Sequence, residues 1–94
     1  MNVFFKPEAE EALFEISKWV EEKEGSGSGI KFAEAFIDRI VEFVLPDFKY
    51  ARCFNDSLAA QNLRCIAIKD WVIAFKQTKD EFIVHYILYG PGLK

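Results

Sequence analysis

The hydrophobic period of this chain changes once along its length, and that change limits the folds open to it. Between residues 9 and 44, apolar side chains recur every three or four positions, as on one face of an α-helix. From residue 63 to residue 89, β-branched, aromatic and aliphatic residues instead fill three short runs typical of strands. A chain of 94 residues has room for one domain with one modest core. We therefore predict a single α+β domain with its sheet mainly in the last third.

Two helices are predicted in the first half, after a short strand over residues 2–5. The first begins at Pro7, because a helix needs no amide donor in its first turn. The second runs over about residues 30–44, and Pro46 closes it. The segment from Gly25 to Gly29 (GSGSG) has the composition of a flexible linker, so the two helices should form an αα-hairpin.

The first helix is predicted to be amphipathic. Trp19 belongs to its apolar arc, where we expect it to pack between the helices. Phe14 falls outside the arc, so it either packs against a neighbouring segment or is exposed for a partner. The arc comprises Ala9, Ala12, Leu13, Ile16, Trp19 and Val20.

Three strands over residues 63–68, 71–75 and 82–88 are predicted to form an antiparallel meander packed on the hairpin. Strict alternation then assigns Phe82, Val84, Tyr86 and Leu88 to one face. The opposite, more open face would carry Lys76, His85 and Tyr89. Before the sheet, residues 46–62 have no clear period, and we expect a long loop that contains at most a short strand or a helical turn.

The two cysteines, Cys53 and Cys65, are too few and too far apart for a CxxC metal or redox motif. We expect both to be reduced and at least one to be buried. No run of about 18 apolar residues exists, and the opening MNVFFKP has too short an apolar stretch for a signal peptide. The sequence therefore predicts a cytoplasmic protein with no membrane partner and no cofactor or metal.

The net charge of −3 argues against nucleic-acid binding by the chain as a whole. The charge is unevenly distributed, since residues 1–24 carry −4 and residues 49–76 carry +3. A positive surface on one side of the molecule is one interpretation. The other is a set of solvated charges without a partner.

Three segments, together with the order of the predicted elements, resemble the RelE/ParE family of bacterial toxins. Residues 5–13 (FKPEAEEAL) resemble the family's opening, and residues 63–76 (LRCIAIKDWVIAFK) its segment of Arg, strand, turn, aromatic and strand. Residues 87–93 (ILYGPGL) occupy the place of its closing aliphatic-His-Gly-Arg-Arg motif. The resemblance implies the toxin component of a type II toxin-antitoxin system, of the plasmid-stabilisation kind. A cognate antitoxin would neutralise it by wrapping its C-terminal segment around the toxin.

RelE-type members of the family cut mRNA on the ribosome, and ParE-type members inhibit DNA gyrase. RNA cleavage needs a base, an acid and cations that stabilise the transition state. The arginine that the family places after the aromatic residue is Val72 here, and residues 90–92 (GPG) replace a Gly-Lys-Arg stretch. The residues left as weak catalytic candidates are Arg64, Lys76, His85 and Tyr89.

The missing arginines favour a ParE-like toxin without chemistry of its own, and make the ribosome and mRNA less favoured partners than DNA gyrase. We expect Arg64, Phe14 and Lys76 to contact partners, with Arg64→Ala weakening antitoxin binding more than folding. Arg64 could instead form a salt bridge to an acidic side chain, because an Arg in an apolar strand must pair or reach water. The alternatives in function are a RelE-type endonuclease and a degenerate, non-toxic interaction domain of the same fold.

Overall fold

One mixed sheet of four strands carries two long helices on one of its faces. The computed structural model describes residues 2–44, 50–53 and 55–92, so the predicted helix stop at Pro46 lies outside the described residues. The strands lie in the order β1-β4-β3-β2, with β1 parallel to β4 and the other pairs antiparallel. The predicted α+β class is confirmed. The elements are β1 (Asn2–Phe5), α1 (Pro7–Glu24), α2 (Ser28–Glu42), α3 (Asp56–Ala60), β2 (Arg64–Ile68), β3 (Trp71–Gln77), β4 (Glu81–Tyr89) and a 3-10 turn (Gly90–Gly92).

Helix α1 begins and ends where local chemistry dictates. Pro7 occupies its first turn, and the carboxylates of Glu8 and Glu10 lie there beside the positive end of the helix dipole. It ends at Gly25, whose φ of 102° is open to glycine and strained for other residues. The buried positions of α1 are Ala9, Ile16 and Val20, which lie on one face toward the sheet.

The joint between α1 and α2 is shorter and more ordered than its composition predicts. Helix α2 already includes Ser28 and Gly29, so the prediction of a flexible linker through Gly29 is wrong for these two residues. The Glu21 carboxylate accepts hydrogen bonds from the Gly27 amide at 3.0 Å and the Gly29 amide at 3.3 Å. It thereby satisfies amides that a helix start leaves without partners. Gly29 is buried, and a Cβ there would collide with the Ser17 backbone oxygen.

The main core lies between the helices and the sheet. Phe75 and Phe82 are fully buried at its centre, with their rings stacked at 4.2 Å between centroids. Burying a large apolar side chain contributes roughly 1.5–3 kcal/mol relative to exposure. Trp19 does not take part, because it is 56% exposed and has the Lys23 ammonium 5.9 Å from its ring centroid. The prediction that Trp19 packs between the helices is therefore wrong.

A β-bulge in β4 changes the faces that strict alternation assigns. Phe75 pairs with Val84, whereas the preceding residue Ala74 pairs with Tyr86, so His85 is an extra residue in β4. Such an insertion reverses the direction of the side chains that follow it along the strand. From Tyr86 onward, the two faces of β4 are therefore exchanged relative to the prediction.

The exchange has visible consequences for the packing. Tyr86 and Leu88 pack with Ala74 in a second, smaller cluster on the sheet face opposite the helices. Ile87 joins the main core. The centroid of the Tyr89 ring lies 5.3 Å from that of Trp71, which packs against this core at the start of β3. The predictions that Tyr86 and Leu88 face the helices and that Tyr89 lies on the open face are wrong.

The segment before β2 covers part of that opposite face. Asn55 caps the start of helix α3, because its side chain accepts a hydrogen bond of 3.2 Å from the Leu58 amide. Leu58 is buried in the second cluster. After α3, the Tyr86 hydroxyl donates to the Gln61 side-chain oxygen at 3.1 Å. The long loop predicted for residues 46–62 thus contains a short helix and one strand-like bridge at Arg52.

Cys53 and Cys65 form a disulfide, with their Cα atoms 4.9 Å apart. The expectation of two reduced cysteines is therefore wrong, while the expectation that at least one is buried is confirmed by Cys53. The physical reason is that the segment before α3 pairs with the start of β2. The Cys53 amide donates to the Leu63 oxygen at 3.2 Å, and the Cys65 amide donates to the Ala51 oxygen at 3.3 Å.

Among the described residues, none of the helices combines the length and the hydrophobicity that a membrane span requires.

Candidate functional site

An apolar groove of about 740 Å³ lies along the αα-hairpin, between α1 and α2. Its lining includes Phe5 of β1 and Gly29 of α2, and at Gly29 the backbone of α1 lies too close for a side chain. The apolar lining residues are Phe5, Leu13, Phe14, Ile30, Ala33 and Ile37.

Two large apolar side chains stand at the mouth of the groove. Phe14 on α1 is 65% exposed, and Ile30 on α2 is 66% exposed. Of the two alternatives for Phe14, the structure shows the exposed one. Exposed apolar surface that is rimmed by polar residues is a feature of interaction sites and binding grooves.

Charged side chains at the rim of the groove are mostly acidic. Glu10, Glu21 and Glu34 line it, against a single cation at Lys18. The Glu21 carboxylate already accepts hydrogen bonds from backbone amides at the start of α2. The mouth of the groove therefore favours an apolar segment that carries positive charges at its sides.

His85 lies in a positive environment on the sheet face away from the helices. Burial lowers the pKa of its imidazole, the neighbouring Lys76 and Lys6 ammonium groups lower it further, and Glu8 partly opposes them. His85 is therefore mainly neutral at pH 7, the form that accepts a proton. Of the catalytic candidates, Lys76 therefore lies near enough to His85 to lower the pKa of its imidazole.

The other two candidates lie elsewhere. Arg64 pairs with the buried Phe75 and so points to the helix side of the sheet, whereas the next residue of β3, Lys76, is exposed on the other side. Tyr89 pairs with Trp71, five residues from Lys76 along β3, which is roughly 16 Å at the rise of a strand. The four side chains do not converge on one reaction centre.

Some residues of interest were not singled out from the sequence. Ile30 is one, and its position directly after a glycine-rich joint gave no sign of its exposure. Arg52 is another: it lies directly opposite Arg64 in an isolated antiparallel bridge. Neither arginine forms an ion pair with any residue that the structure describes, so the salt bridge considered for Arg64 is not found there.

Among residues 2–44, 50–53 and 55–92, no group of three or more His, Cys, Asp or Glu side chains is arranged to hold a metal ion. Comparison with protein-family models and with curated protein sequences finds no match to this chain.

Proposed function

We propose that this chain is the toxin component of a type II toxin-antitoxin system, of the ParE-like kind that acts by binding proteins. The cognate antitoxin would bind in the groove between α1 and α2, and DNA gyrase is the proposed cellular target. The observation that carries the proposal is the groove itself, an apolar depression whose mouth holds two exposed side chains, Phe14 and Ile30. The order of strand, two helices and meander, which carries the sequence resemblance, is compatible with it.

The groove offers enough apolar surface to anchor a peptide segment. Covering Phe14 and Ile30 would each contribute up to roughly 1.5–3 kcal/mol, before the cost of ordering the partner is subtracted. An amphipathic helix or extended segment that places two or three apolar side chains into the groove fits this surface. The acidic rim at Glu10 and Glu34 favours lysine or arginine beside those apolar anchors.

An RNA-cleaving function receives less support from the same structure. Arg64 and Tyr89 lie apart from the pair formed by His85 and Lys76, so no base, acid and cation set meets at one point.

The disulfide bears on the proposed cytoplasmic location, because thiols there are kept reduced unless they are protected. The state of Cys53 and Cys65 in cells is therefore measured alongside activity.

The first experiment is induced expression of the chain alone in a bacterial host, with DNA and protein synthesis followed by pulse labelling. Early arrest of DNA synthesis with an SOS response supports the ParE-like proposal. Early arrest of translation with cut mRNA would instead support the RelE-type alternative. Normal growth at good soluble yield would contradict toxicity and leave a degenerate interaction domain.

The second experiment tests the groove. The product of a short reading frame adjacent to the gene is co-expressed as the candidate antitoxin, and its binding is measured by calorimetry. We expect Phe14→Ser and Ile30→Ser to weaken binding by about tenfold or more, because each removes a buried apolar anchor. Trp19→Ser is the matched control, since Trp19 is a similarly exposed aromatic residue of α1 that does not line the groove. Equal weakening in all three variants would place the interface elsewhere.

A further inference from the structure

Arg52 and Arg64 lie directly opposite each other in the backbone pairing at the edge of the sheet. They are direct partners in an antiparallel bridge, and the flanking hydrogen bonds join Cys53 to Leu63 and Cys65 to Ala51. This pattern makes the arginines a non-hydrogen-bonded pair, the closer of the two kinds in an antiparallel ladder. Side chains of such a pair lie on the same face, with Cβ atoms roughly 4.5–5.5 Å apart.

Two like charges in this position repel each other. Directly opposed residues of equal charge destabilise a strand pair, whereas an acid opposite a base stabilises it. Among the described residues, neither guanidinium has an acidic partner or a side-chain hydrogen bond. Arg52 is exposed and Arg64 is half-buried, so both remain accessible to a ligand from solution.

The disulfide crosslinks the two segments that carry the arginines. Cys53 follows Arg52 and Cys65 follows Arg64, so the covalent bond joins the two strand segments directly beside the arginines. Two backbone hydrogen bonds join the same segments, and Cys53 also packs beside Leu63 in the second cluster. When the bond is reduced, only those hydrogen bonds and local packing oppose the separation of the two positive charges.

We propose that Arg52 and Arg64 form a binding site for a phosphate group, and that the Cys53–Cys65 disulfide assembles it. A doubly charged tetrahedral oxyanion matches two adjacent guanidinium groups in both charge and hydrogen-bond geometry. Binding offsets the repulsion within the pair, so the ligand and the disulfide stabilise the same arrangement. The site lies on β2 and the segment before α3, and therefore does not depend on the groove or on its proposed partner.

The Cys53–Cys65 disulfide would form by thiol–disulfide exchange with a small-molecule disulfide such as oxidised glutathione. The two cysteine thiols lose two protons and two electrons as their S–S bond forms. Oxidised glutathione takes up both electrons and both protons, its S–S bond breaks, and two molecules of glutathione thiol are released. By linkage, a ligand that prefers the disulfide form shifts this equilibrium toward the disulfide.

The test is an NMR titration of the whole oxidised chain with inorganic phosphate at constant ionic strength. We expect saturable shifts at the amides and side-chain NεH groups of Arg52 and Arg64. Arg52→Gln and Arg64→Gln should each weaken binding by about tenfold, as loss of a charge-assisted contact does. Arg39→Gln is the matched control, because the charge of Arg39 is already paired with Glu42 on α2.

Sodium acetate at the same ionic strength serves as the carboxylate comparison. Acetate binding as tight as phosphate binding would overturn the assignment to phosphate. A linear, non-saturating response, or an equal loss in the Arg39→Gln variant, would overturn the site itself.

The role of the disulfide is tested first on the unmodified chain, which avoids a variant that could unfold. The ratio of disulfide to dithiol is measured in a glutathione buffer, with and without saturating phosphate. We expect phosphate to raise this ratio by about fivefold or more, the reciprocal of the loss of affinity on reduction. An unchanged ratio, with the arginine titration positive, would overturn the coupling. The Cys53→Ser and Cys65→Ser double variant, if folded by its NMR dispersion, should bind phosphate correspondingly more weakly.

Discussion

Replacing Gly29 by alanine tests whether the close approach of the two helices shapes the hairpin. Gly29 lies buried in the first turn of α2, and an added Cβ would collide with the Ser17 oxygen and approach the Glu21 Cβ to 3.2 Å. The Ser17 oxygen belongs to the backbone of α1, so it cannot rotate away as a flexible side chain would. The two helices must therefore separate or shift along each other.

The sign of the change in unfolding free energy shows whether the close contact between the helices at Gly29 exists. In a helix without the contact, Gly→Ala stabilises by roughly 0.5–1 kcal/mol because alanine loses less conformational entropy. Overpacking a well-packed contact costs roughly 1–3 kcal/mol. We therefore expect Gly29→Ala to lower the free energy of unfolding by about 1–2 kcal/mol, or about 4–16 °C in Tm for a domain of this size.

Urea unfolding followed by circular dichroism measures the effect. Lys31→Ala is the matched control, because Lys31 is an exposed residue of the same helix and its replacement should change stability by less than about 0.5 kcal/mol. A Gly29→Ala protein as stable as the original chain, or more stable, would refute the close contact. Since Gly29 also lines the groove, the same substitution should alter binding there.

Three further outcomes are expected. Asn55→Ala removes the cap of α3 and should cost about 1 kcal/mol in urea unfolding, and no loss would mean that the cap is not formed. By NMR, His85 should titrate below its ordinary value of 6.5, and Lys76→Gln should raise its pKa. Because the unfolded chain binds this proton more readily, stability should fall as pH is lowered through 6.5. Replacing Cys53 and Cys65 by alanine should lower unfolding stability by about 2–3 kcal/mol, whereas an unchanged midpoint would contradict a constraining disulfide.

The helices and strands were predictable because their signals are local. Pro7, the acids behind it and a one-sided apolar arc specify α1 within its own segment. The turn at residues 69–70 separates two runs of β-branched and aromatic residues, and the observed strands begin within a residue or two of those runs. The exposure of Phe14 was also one of two predicted alternatives, because its angle on the helical wheel excludes it from the core-facing arc.

The features that were predicted wrongly or missed depend on contacts between segments that are distant in sequence. The bulge at His85 depends on the register between β3 and β4, and no residue type at that point demands it. The pairing of residues 51–53 with β2, which brings Cys53 to Cys65, is likewise a tertiary event. Gly29 reads as linker by composition, although its lack of a side chain serves a helix contact. The groove could not be predicted for the same reason, since it forms only when the two helices pack together.

The parallel pairing of β1 with β4 has a consequence for the chain during its synthesis. Asn2 to Phe5 are made before either helix, yet their partners are residues 81–84 of the last strand. Until that strand leaves the ribosome, β1 has no neighbour in the sheet, and the apolar side of the helical hairpin lacks the strand that holds Phe82 and Val84 against it. The sheet that covers the helical hairpin is therefore completed late, and a chain released before β4 is made leaves apolar surface open to proteolysis or chaperone capture.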